Sequence, residues 1–260
     1  MGSINYSSVT EYPGQRATIE QLERLYQRYK FAKNYTEDKQ VLEIACGSGI
    51  GLIYLAENAK KTIGIDIDDN NLAEAGNNIK KSIFSDKISI FKMDAHKLEF
   101  GNEYFDLIIV FEAIYYIKNL KESISEIFRV LKNGGICVIG SVNKNWESFH
   151  PSPFTHKYLT IPEYQDLFMQ AGFKKIEYFG GFYTNNDLKW FSLIKKMANK
   201  LNLIPKSLKA RALLKRIFIG KLHIIPNSIH DSMAKYTEPE KIYEVTENKD
   251  YKIIYITAEK

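Results

Sequence analysis

The sequence predicts an α/β protein built on a doubly wound, seven-stranded, mostly parallel sheet. Three observations predict this fold. Short apolar runs alternate with helix-patterned segments over residues 40–142, one run is apolar at nearly every position, and a glycine-rich turn follows the first run. Regular alternation of strands and helices indicates βαβ units, and a strand that is apolar throughout is covered on both faces.

The predicted elements follow in a regular order along the chain. Apolar and aromatic residues at helical spacing predict an amphipathic helix over residues 18–33. Two glycines stand at the C-terminal end of the last predicted helix of this core, a position where glycine is common. The elements after the first helix are strand 40–45, helix 50–58, strand 61–68, a helix through Leu72, Ala75 and Ile79, strands 87–94 and 104–113, helix 120–135, strand 136–142, helix 160–173, and strands 174–182 and 251–259.

The composition is typical of a folded protein in a reducing compartment. Of the 260 residues, 45% are hydrophobic and 26% are charged, which suffices for one well-buried core. The first residues lack the basic-then-apolar pattern of a secretory signal, and no apolar run is long enough to span a bilayer. Cys46 and Cys137 are the two cysteines, so we expect neither a disulfide framework nor a cysteine zinc site. A cytoplasmic location follows as the expectation.

The stretch VLEIACGSGIG, residues 41–51, predicts a buried strand that enters a glycine-rich turn and then a helix. Gly47 and Gly49 lack a Cβ atom, so a ligand can approach the backbone closely. In an open parallel sheet, this turn and Asp66, at the end of the second strand, face one crevice. Asp66 can there bind two ribose hydroxyls. Both NAD and S-adenosylmethionine fit these features.

Three details favour S-adenosylmethionine over NAD. The spacing Gly47-x-Gly49-x-Gly51 differs from the G-x-G-x-x-G dinucleotide fingerprint. Glu43 would repel a pyrophosphate but favours a ligand that carries a sulfonium and an ammonium group. Asp94 follows the third strand, within reach of an adenine amine. In the alternative interpretation, Glu43 points to solvent and Asp94 merely begins a turn.

Five motifs give the chain its resemblance to a known family: VLEIACGSGIG, GIDID, KMDAHKLEF, FDLIIVFEAIYYI and LKNGGICVIG, in this order. In them the chain resembles the class I S-adenosylmethionine-dependent methyltransferases. EYPGQRATIEQLERLYQRYKFA and HPSPFTHKYLTIPEY resemble, more narrowly, a bacterial subgroup of small-molecule and sugar methyltransferases. The resemblance implies a Rossmann-like fold with an antiparallel last strand.

The chain is predicted to form one methyltransferase domain of five parts. Its cofactor-binding core precedes the part that selects an acceptor. The parts are an N-terminal lid and helix over 1–36, the cofactor-binding core over 37–142, an acceptor-side loop, helix and strand over 143–181, a basic helical cap insertion over 182–248, and the last strand over 249–260.

The resemblance also implies a set of cofactor-binding residues. Asp66 would hold the ribose diol, with Ile67 packing on the adenine, and Asp94 with Ala95 would read the adenine edge. Phe111 and Glu112 would lie beside the sulfonium. The remaining residues that the resemblance implies are Glu43, Cys46, Gly47 and Gly49, at the methionyl and ribose part. From their position before the first helix, Tyr12 and Arg16 are further candidates, which would close over the cofactor; Arg16 either meets its carboxylate or is a solvated surface charge.

Three residues are candidates for catalysis. His150 and His156 flank the PSPF loop and are candidates for proton transfer, although loop histidines are commonly surface residues. Tyr115 follows Glu112 closely and would orient the acceptor, unless it packs in the core. No metal ligand cluster is identified, so no metal is predicted.

The predicted reaction is methyl transfer to an amino or hydroxyl group of a small polar metabolite, such as a sugar, a nucleotide-linked sugar or a secondary-metabolite intermediate. The position after the fourth strand reads FEAIYY, which lacks the Pro-Pro-aromatic pattern of adenine methylation, so nucleic acid is disfavoured as an acceptor. Two alternatives from other classes are an NAD-dependent oxidoreductase and a non-catalytic adenosyl-binding protein.

Residues 188–225 contain ten Lys and Arg and no Asp or Glu, so the formal net charge of +5 has a local origin. Trp190, Ile194, Met197 and Leu201 recur there at helical spacing. One interpretation is a helical cap that packs on the sheet edge. A second is a basic amphipathic surface that lies on anionic lipid and meets a lipid-linked acceptor, and a third is a cap that attracts an anionic acceptor.

Overall fold

The computed structural model describes residue 6, residues 9–184 and residues 221–260. Within these ranges it contains ten strands and five α-helices. The strands are β1 (Arg16–Ala17), β2 (Gln40–Ile44), β3 (Lys61–Asp66), β4 (Ile88–Lys92), β5 (Phe105–Phe111), β6 (Leu131–Val142), β7 (Lys175–Tyr183), β8 (His223–Ile224), β9 (Glu240–Ile242) and β10 (Tyr251–Glu259), and the helices are α1 (Ile19–Lys33), α2 (Ile50–Leu55), α3 (Asp69–Ile79), α4 (Leu120–Val130) and α5 (Ile161–Ala171).

The main sheet has the order β4-β3-β2-β5-β6-β10-β7-β9. Strands β2 to β6 pair in parallel, and β10 pairs antiparallel with both β6 and β7. The predicted α/β fold with an antiparallel last strand is therefore confirmed. Strand β9 adds a short edge strand to the seven predicted ones. The strand order reverses between β2 and β5, and ligands bind at the carboxyl ends of strands at such a switch point.

Burial explains the central strands. Ile108, Ile109 and Val110 of β5 are fully buried because helices cover both faces of the sheet. Burying each such side chain stabilises the fold by about 1.5–3 kcal/mol. Helix α1 begins at a capping box, in which Thr18 accepts from the backbone of Gln21 and the Gln21 side chain accepts from the backbone of Thr18.

Most predicted boundaries differ from the observed ones by one to three residues, and the largest error lies between α4 and β6. The glycines of LKNGG were expected to close a helix over residues 120–135, but α4 ends at Val130 and Leu131 begins β6. Leu131 is fully buried and pairs with Phe105 of β5. Burial of this side chain in the sheet therefore outweighs the local helix pattern.

The predicted cap over residues 182–248 lies mostly outside the described residues, as do residues 188–220 of the basic segment. Its two described ends differ from a helical cap. Phe182 and Tyr183 complete β7, and residues 221–248 form loops with the short strands β8 and β9 and no helix. Among the helices that the structure describes, none is long and apolar enough to cross a membrane.

The chain from residue 221 onward forms hydrogen bonds with α1 and with the residues before α1. Strand β8 pairs antiparallel with β1. Asp231 Oδ1 accepts hydrogen bonds from Tyr54 Oη at 2.7 Å, Tyr26 Oη at 3.0 Å and Lys30 Nζ at 3.1 Å. These bonds hold the segment that follows residue 220 against the surface of α1 and α2.

Candidate active site

A cavity of about 460 Å³ lies at the carboxyl ends of β2 to β5. It brings together ten residues selected from the sequence, which come from four strand ends and from the loop after β6. They are Cys46, Gly47, Asp66, Ile67, Asp94, Ala95, Phe111, Glu112, Tyr115 and His156.

Gly47 and Gly49 of the glycine turn avoid contacts with different neighbours. Gly47 has a left-handed φ of +55°, and a Cβ there would meet only Thr10 of the segment before α1, at 3.0 Å. Gly47 lines the cavity, as the sequence predicts for a ligand-facing glycine. Gly49 has a φ of +73° but does not line the cavity, and a Cβ there would lie 3.0 Å from Ala75 Cβ in α3. Gly49 therefore permits packing between helices.

Asp66 is held rigidly beside this turn. Its Oδ2 accepts the backbone N–H of Gly47 at 2.9 Å, and its Oδ1 accepts that of Asp68 at 2.9 Å. Burial raises the pKa of Asp66, and these two hydrogen bonds oppose the shift. Asn71 donates to both oxygens at 3.3 Å and accepts a hydrogen bond from Tyr12 Oη. Tyr12 thus lies behind Asp66 and does not line the cavity.

Asp94 and His96 line the cavity after β4. Asp94 Oδ1 accepts the backbone N–H of His96 at 2.9 Å and contacts His96 Nδ1 at 2.5 Å. Asn119 donates its backbone N–H to His96 Nε2 at 3.1 Å. A neutral histidine that accepts at Nε2 donates at Nδ1, so His96 donates to Asp94. Asp94 both begins a turn and lines the cavity.

Glu43 lies behind the turn and is buried. Tyr29 Oη donates to its Oε1 at 2.5 Å, whereas its Oε2 is buried without a hydrogen-bond partner among the described residues. Burial raises the pKa of Glu43 to about 7. The third glycine of the turn makes this pair possible, because a Cβ on Gly51 would lie 2.0 Å from Tyr29 Cε1.

Glu112 and Tyr115 form a second tyrosine–glutamate pair, which faces the cavity directly. Tyr115 Oη donates to Glu112 Oε2 at 2.9 Å. Glu112 has a left-handed φ of +52°, which is uncommon outside glycine and clusters at functional sites. Burial raises the pKa of Glu112, and the charge of Arg28 opposes the shift. Glu112 is therefore a carboxylate of increased basicity.

Two arginines of α1 line the cavity and were missed by the sequence analysis. Arg24 forms an ion pair with Glu20, and Arg28 forms one with Glu11. The Nε atom of each arginine is buried without a hydrogen-bond partner among the described residues. Arg24 and Arg28 are four residues apart, so they share a helix face beside the apolar stripe. In the sequence, that spacing is indistinguishable from an ordinary solvated helix face.

The segment before α1 covers the cavity. Tyr6, Thr10 and Glu11 line it. The Tyr6 backbone N–H donates to Asp68 Oδ2 at 2.8 Å, and Ser48 Oγ donates to the Glu11 carbonyl at 2.7 Å. This segment therefore rests on the loop after β3 and on the glycine turn.

Five residues predicted for the site do not line the cavity: Tyr12, Arg16, Glu43, Gly49 and His150. Arg16 is in β1, where Ala17 is buried, and neighbouring side chains of a strand point to opposite faces, so Arg16 is exposed. His150 is exposed in the loop after β6 and does not line the cavity. His156 does line it, and its backbone N–H donates to the Tyr115 carbonyl at 2.8 Å.

Comparisons with known proteins agree with this architecture. A family model described as "Methyltransferase domain" matches residues 42–139. An uncharacterized protein of Haemophilus influenzae is 30% identical over 197 residues, covering 71% of this chain and 78% of that protein. A probable S-adenosylmethionine-dependent methyltransferase of Mycolicibacterium smegmatis is 26% identical over 151 residues, covering 56% of each chain.

A solved structure from Thermotoga maritima, described as an S-adenosylmethionine-dependent methyltransferase and a possible histamine N-methyltransferase, has the same fold. It superposes with a TM-score of 0.55 at 15% identity and covers 93% of this chain and 95% of its own. Fold, cavity and comparisons together define an enzyme of the Rossmann-like methyltransferase class. The chain belongs to the class I S-adenosylmethionine-dependent methyltransferases, and S-adenosylmethionine is its methyl donor. This assignment excludes the NAD-dependent alternative.

The residues present fit this cofactor. Asp66 and Asp94 line the cavity and provide carboxylate acceptors for the hydroxyl and amine groups of the ligand, whereas Glu43 is buried outside the lining. Ile67 lines the cavity and is 50% exposed, so its apolar side chain is accessible for packing against the adenine ring.

Proposed function

We propose that this methyltransferase acts on an amino or hydroxyl group of a small polar metabolite. The observation that carries the proposal is the position of Glu112, which lines the same cavity as Asp66 and Asp94. A carboxylate with a raised pKa is a better proton acceptor than an exposed one. Amines and hydroxyls both release a proton on methylation, so such a base serves either acceptor.

In this proposal the cofactor half of the cavity holds S-adenosylmethionine as the family resemblance implies. Asp66 accepts from the ribose hydroxyls, Ile67 packs on the adenine, and Asp94 accepts from the adenine amine, with Ala95 beside it. The close backbone approach at Gly47 accommodates the ligand. His96 fixes the orientation of Asp94 through the two contacts described above.

The methionyl end of the cofactor is proposed to meet Arg28, which lines the cavity and would donate to the carboxylate. Glu43 does not line the cavity, so its proposed role is to favour the ammonium group electrostatically from behind the turn. The assignment to Arg28 replaces the sequence-based assignment of the carboxylate to Arg16, because Arg16 is exposed and outside the cavity lining. Arg28 lines the cavity beside Cys46, Phe111 and Glu112.

S-adenosylmethionine supplies a methyl group activated by the attached sulfonium. The protein's contribution is alignment, which can supply about 7–11 kcal/mol, and removal of the proton. Glu112 is the proposed proton acceptor, and Tyr115 orients it through the hydrogen bond to Oε2. His156 is the alternative proton acceptor at the mouth of the cavity, whereas His150 is not used.

Within small polar metabolites, we propose a sugar, a nucleotide-linked sugar or a secondary-metabolite intermediate. The support is the resemblance of the residues around α1 and of the HPSPFTHKYLTIPEY segment to sugar and small-molecule methyltransferases. The test is incubation of the chain and S-adenosylmethionine with a small-molecule extract of bacterial cells. We expect a product heavier by one methylene unit for each methyl group added. Cofactor binding without turnover across amine and hydroxyl acceptors would contradict the proposal.

A lipid-linked acceptor at a membrane surface is the second candidate. Leu222 and Ile224 are exposed by 40% and 67%, and they lie at the C-terminal end of the basic segment. A basic segment flanked by exposed apolar side chains suits the surface of an anionic bilayer. Co-sedimentation with phosphatidylglycerol vesicles tests this candidate, and absence of binding at low salt removes it.

A further inference from the structure

We propose that Arg24 forms an anion subsite in the acceptor half of the cavity, so that the acceptor carries a carboxylate or phosphate group. The inference rests on the proposed function, because it takes the acceptor to lie beside Glu112. It extends that function by naming a second chemical feature of the acceptor and the residue that recognises it.

The Arg24 guanidinium is oriented by two aromatic rings. Its central carbon lies 5.6 Å from the ring centroid of Trp146 and 5.6 Å from that of Phe182. Contact with ring faces leaves the N–H donors at the edge of the guanidinium plane available. Phe182 has a left-handed φ of +60°, a conformation uncommon in a strand.

Among the described residues, Arg24 forms one side-chain hydrogen bond and has one buried donor without a partner. A guanidinium carries five N–H donors, and Glu20 Oε1 accepts one of them, from Nη2 at 2.5 Å. The Nε atom is buried without a hydrogen-bond partner among the described residues. A buried donor that lacks an acceptor costs free energy, and a bound anion would remove that cost.

Glu20 contacts a second cation besides Arg24. Lys252 of β10 is buried, and its Nζ lies 3.3 Å from the same Glu20 Oε1 and 5.3 Å from the ring centroid of Trp146. Glu20 is itself 42% exposed, so water screens its charge. Glu20 is therefore shared between two cations and is not committed to Arg24 alone.

Arg24 belongs to the acceptor half and not to the cofactor half. Its neighbours Phe182 and Lys252 come from β7 and β10, near one edge of the sheet. The proposed cofactor residues lie at the ends of β2, β3 and β4, toward the opposite edge. Arg24 and Glu112 both line the cavity. An acceptor would therefore present its nucleophile to Glu112 and its anion to Arg24. The chemical class is a small anionic or zwitterionic amine or alcohol.

The test is calorimetric titration of inorganic phosphate and, separately, of acetate into the full chain saturated with S-adenosylhomocysteine. The two anions distinguish a phosphate-bearing from a carboxylate-bearing acceptor. We expect saturable binding of at least one of them, weakened at least about tenfold in Arg24→Gln, since hydrogen bonds to charged groups are of that magnitude. Arg24→Lys should retain part of the affinity.

Two controls make the result specific. Lys121→Gln removes an exposed positive charge on α4 and should leave anion binding unchanged. Arg24→Met keeps the apolar stem against Trp146 and Phe182, and it replaces Arg24→Gln if that variant does not fold. Affinity for S-adenosylhomocysteine should remain unchanged in every Arg24 variant.

Three outcomes would overturn the inference. They are the absence of saturable binding of either anion, equal binding in the Arg24 variants, and competition between the anions and S-adenosylhomocysteine. Competition would assign Arg24 to the cofactor carboxylate. Failure of the unmodified chain to bind S-adenosylhomocysteine would instead contradict the proposed function, and anion titration without that ligand would still test Arg24.

Discussion

The two proposed halves of the cavity, for the cofactor and for the acceptor, are assembled in different ways. In the proposed cofactor half, Asp66 ends β3, Gly47 and Asp94 follow the carboxyl ends of β2 and β4, and the three strands are adjacent in the sheet. In the acceptor half, Arg24 comes from the middle of a helix and Lys252 from the last strand. Strand ends of a parallel sheet meet at one edge by construction, so the cofactor half follows from the fold class. The acceptor half requires particular helix faces to pack together.

The halves also differ in charge. Asp66 and Asp94 give the proposed cofactor half two carboxylates, which complement a cation. The acceptor half combines Arg24 with Glu112. The comparison suggests that variants in the acceptor half change turnover and acceptor affinity, whereas variants in the cofactor half change affinity for the cofactor.

The largest effect is expected for Glu112→Gln. Loss of the proposed proton acceptor should reduce kcat by about 10²–10⁴-fold, the usual contribution of a general base, while affinity for S-adenosylhomocysteine changes little. Because the pKa of Glu112 is raised, kcat of the unmodified enzyme should rise with pH through that pKa, and this limb should be missing in the variant. Steady-state kinetics across pH check both points, with the exposed Glu244→Gln as the control. An unchanged pH profile would assign the proton to another group.

The next effect is expected for Asp66→Asn. Removal of the charge weakens the hydrogen bonds to Gly47 and Asp68 and to the proposed ribose hydroxyls. We expect affinity for S-adenosylhomocysteine to fall by about 100-fold, or about 3 kcal/mol. Calorimetry measures it, with the exposed Asp69→Asn as the matched control. If Asp66→Asn binds as tightly as the unmodified chain, the cofactor half is assigned wrongly.

Glu43→Gln should change how stability depends on pH. Folding raises the pKa of Glu43 from 4.5 to about 7, so the folded chain binds the proton more tightly. The resulting stability is present below pH 4.5 and is lost as the pH rises through 7, by about 3 kcal/mol. The unfolding free energy of the variant should therefore fall less over this window. Urea unfolding at pH 5 and pH 8 measures it, and parallel curves for the two chains would disprove the linkage.

The smallest effect is expected for Asp231→Asn, outside both halves. The Tyr54 hydrogen bond and then the Lys30 bond lower the pKa of Asp231 to about 2, so this stability is present above pH 3.8 and is lost as the pH falls through 2. Asp231 is 57% exposed, and solvent screening limits its contribution to about 1 kcal/mol. Thermal unfolding should show a slightly lower Tm, with unchanged affinity for S-adenosylhomocysteine. A loss of cofactor affinity would instead link this segment to the cavity.

Some of the site was predictable because local pattern and fold class act together. Cys46, Gly47, Asp66, Asp94 and Glu112 line the cavity at the ends of predicted strands. Periodicity alone did not distinguish a ligand-facing glycine from a packing glycine, because both have left-handed backbones. Gly49 is the packing case, since its close neighbour is Ala75 of α3.

The residues that the sequence analysis missed share one property. Arg24 and Arg28 have charged side chains at ordinary helical spacing, and their burial depends on segments far away in sequence, such as Trp146, Phe182 and the residues before α1. Arg16 shows the converse. It was selected for its position before α1, but pairing of β1 with β8 turns its side chain to solvent.

The fold class, the parallel core and the strand ends that line the cavity could be predicted from the sequence, because apolar periodicity and glycine placement act over a few residues at a time. Only the tertiary structure decided which face of α1 closes the cavity, and therefore which arginines lie in it. That choice depends on the packing of α1 against α2 and β10, where Tyr29 occupies the space that Gly51 leaves. Contacts between segments so far apart in the chain leave no local pattern from which they can be predicted.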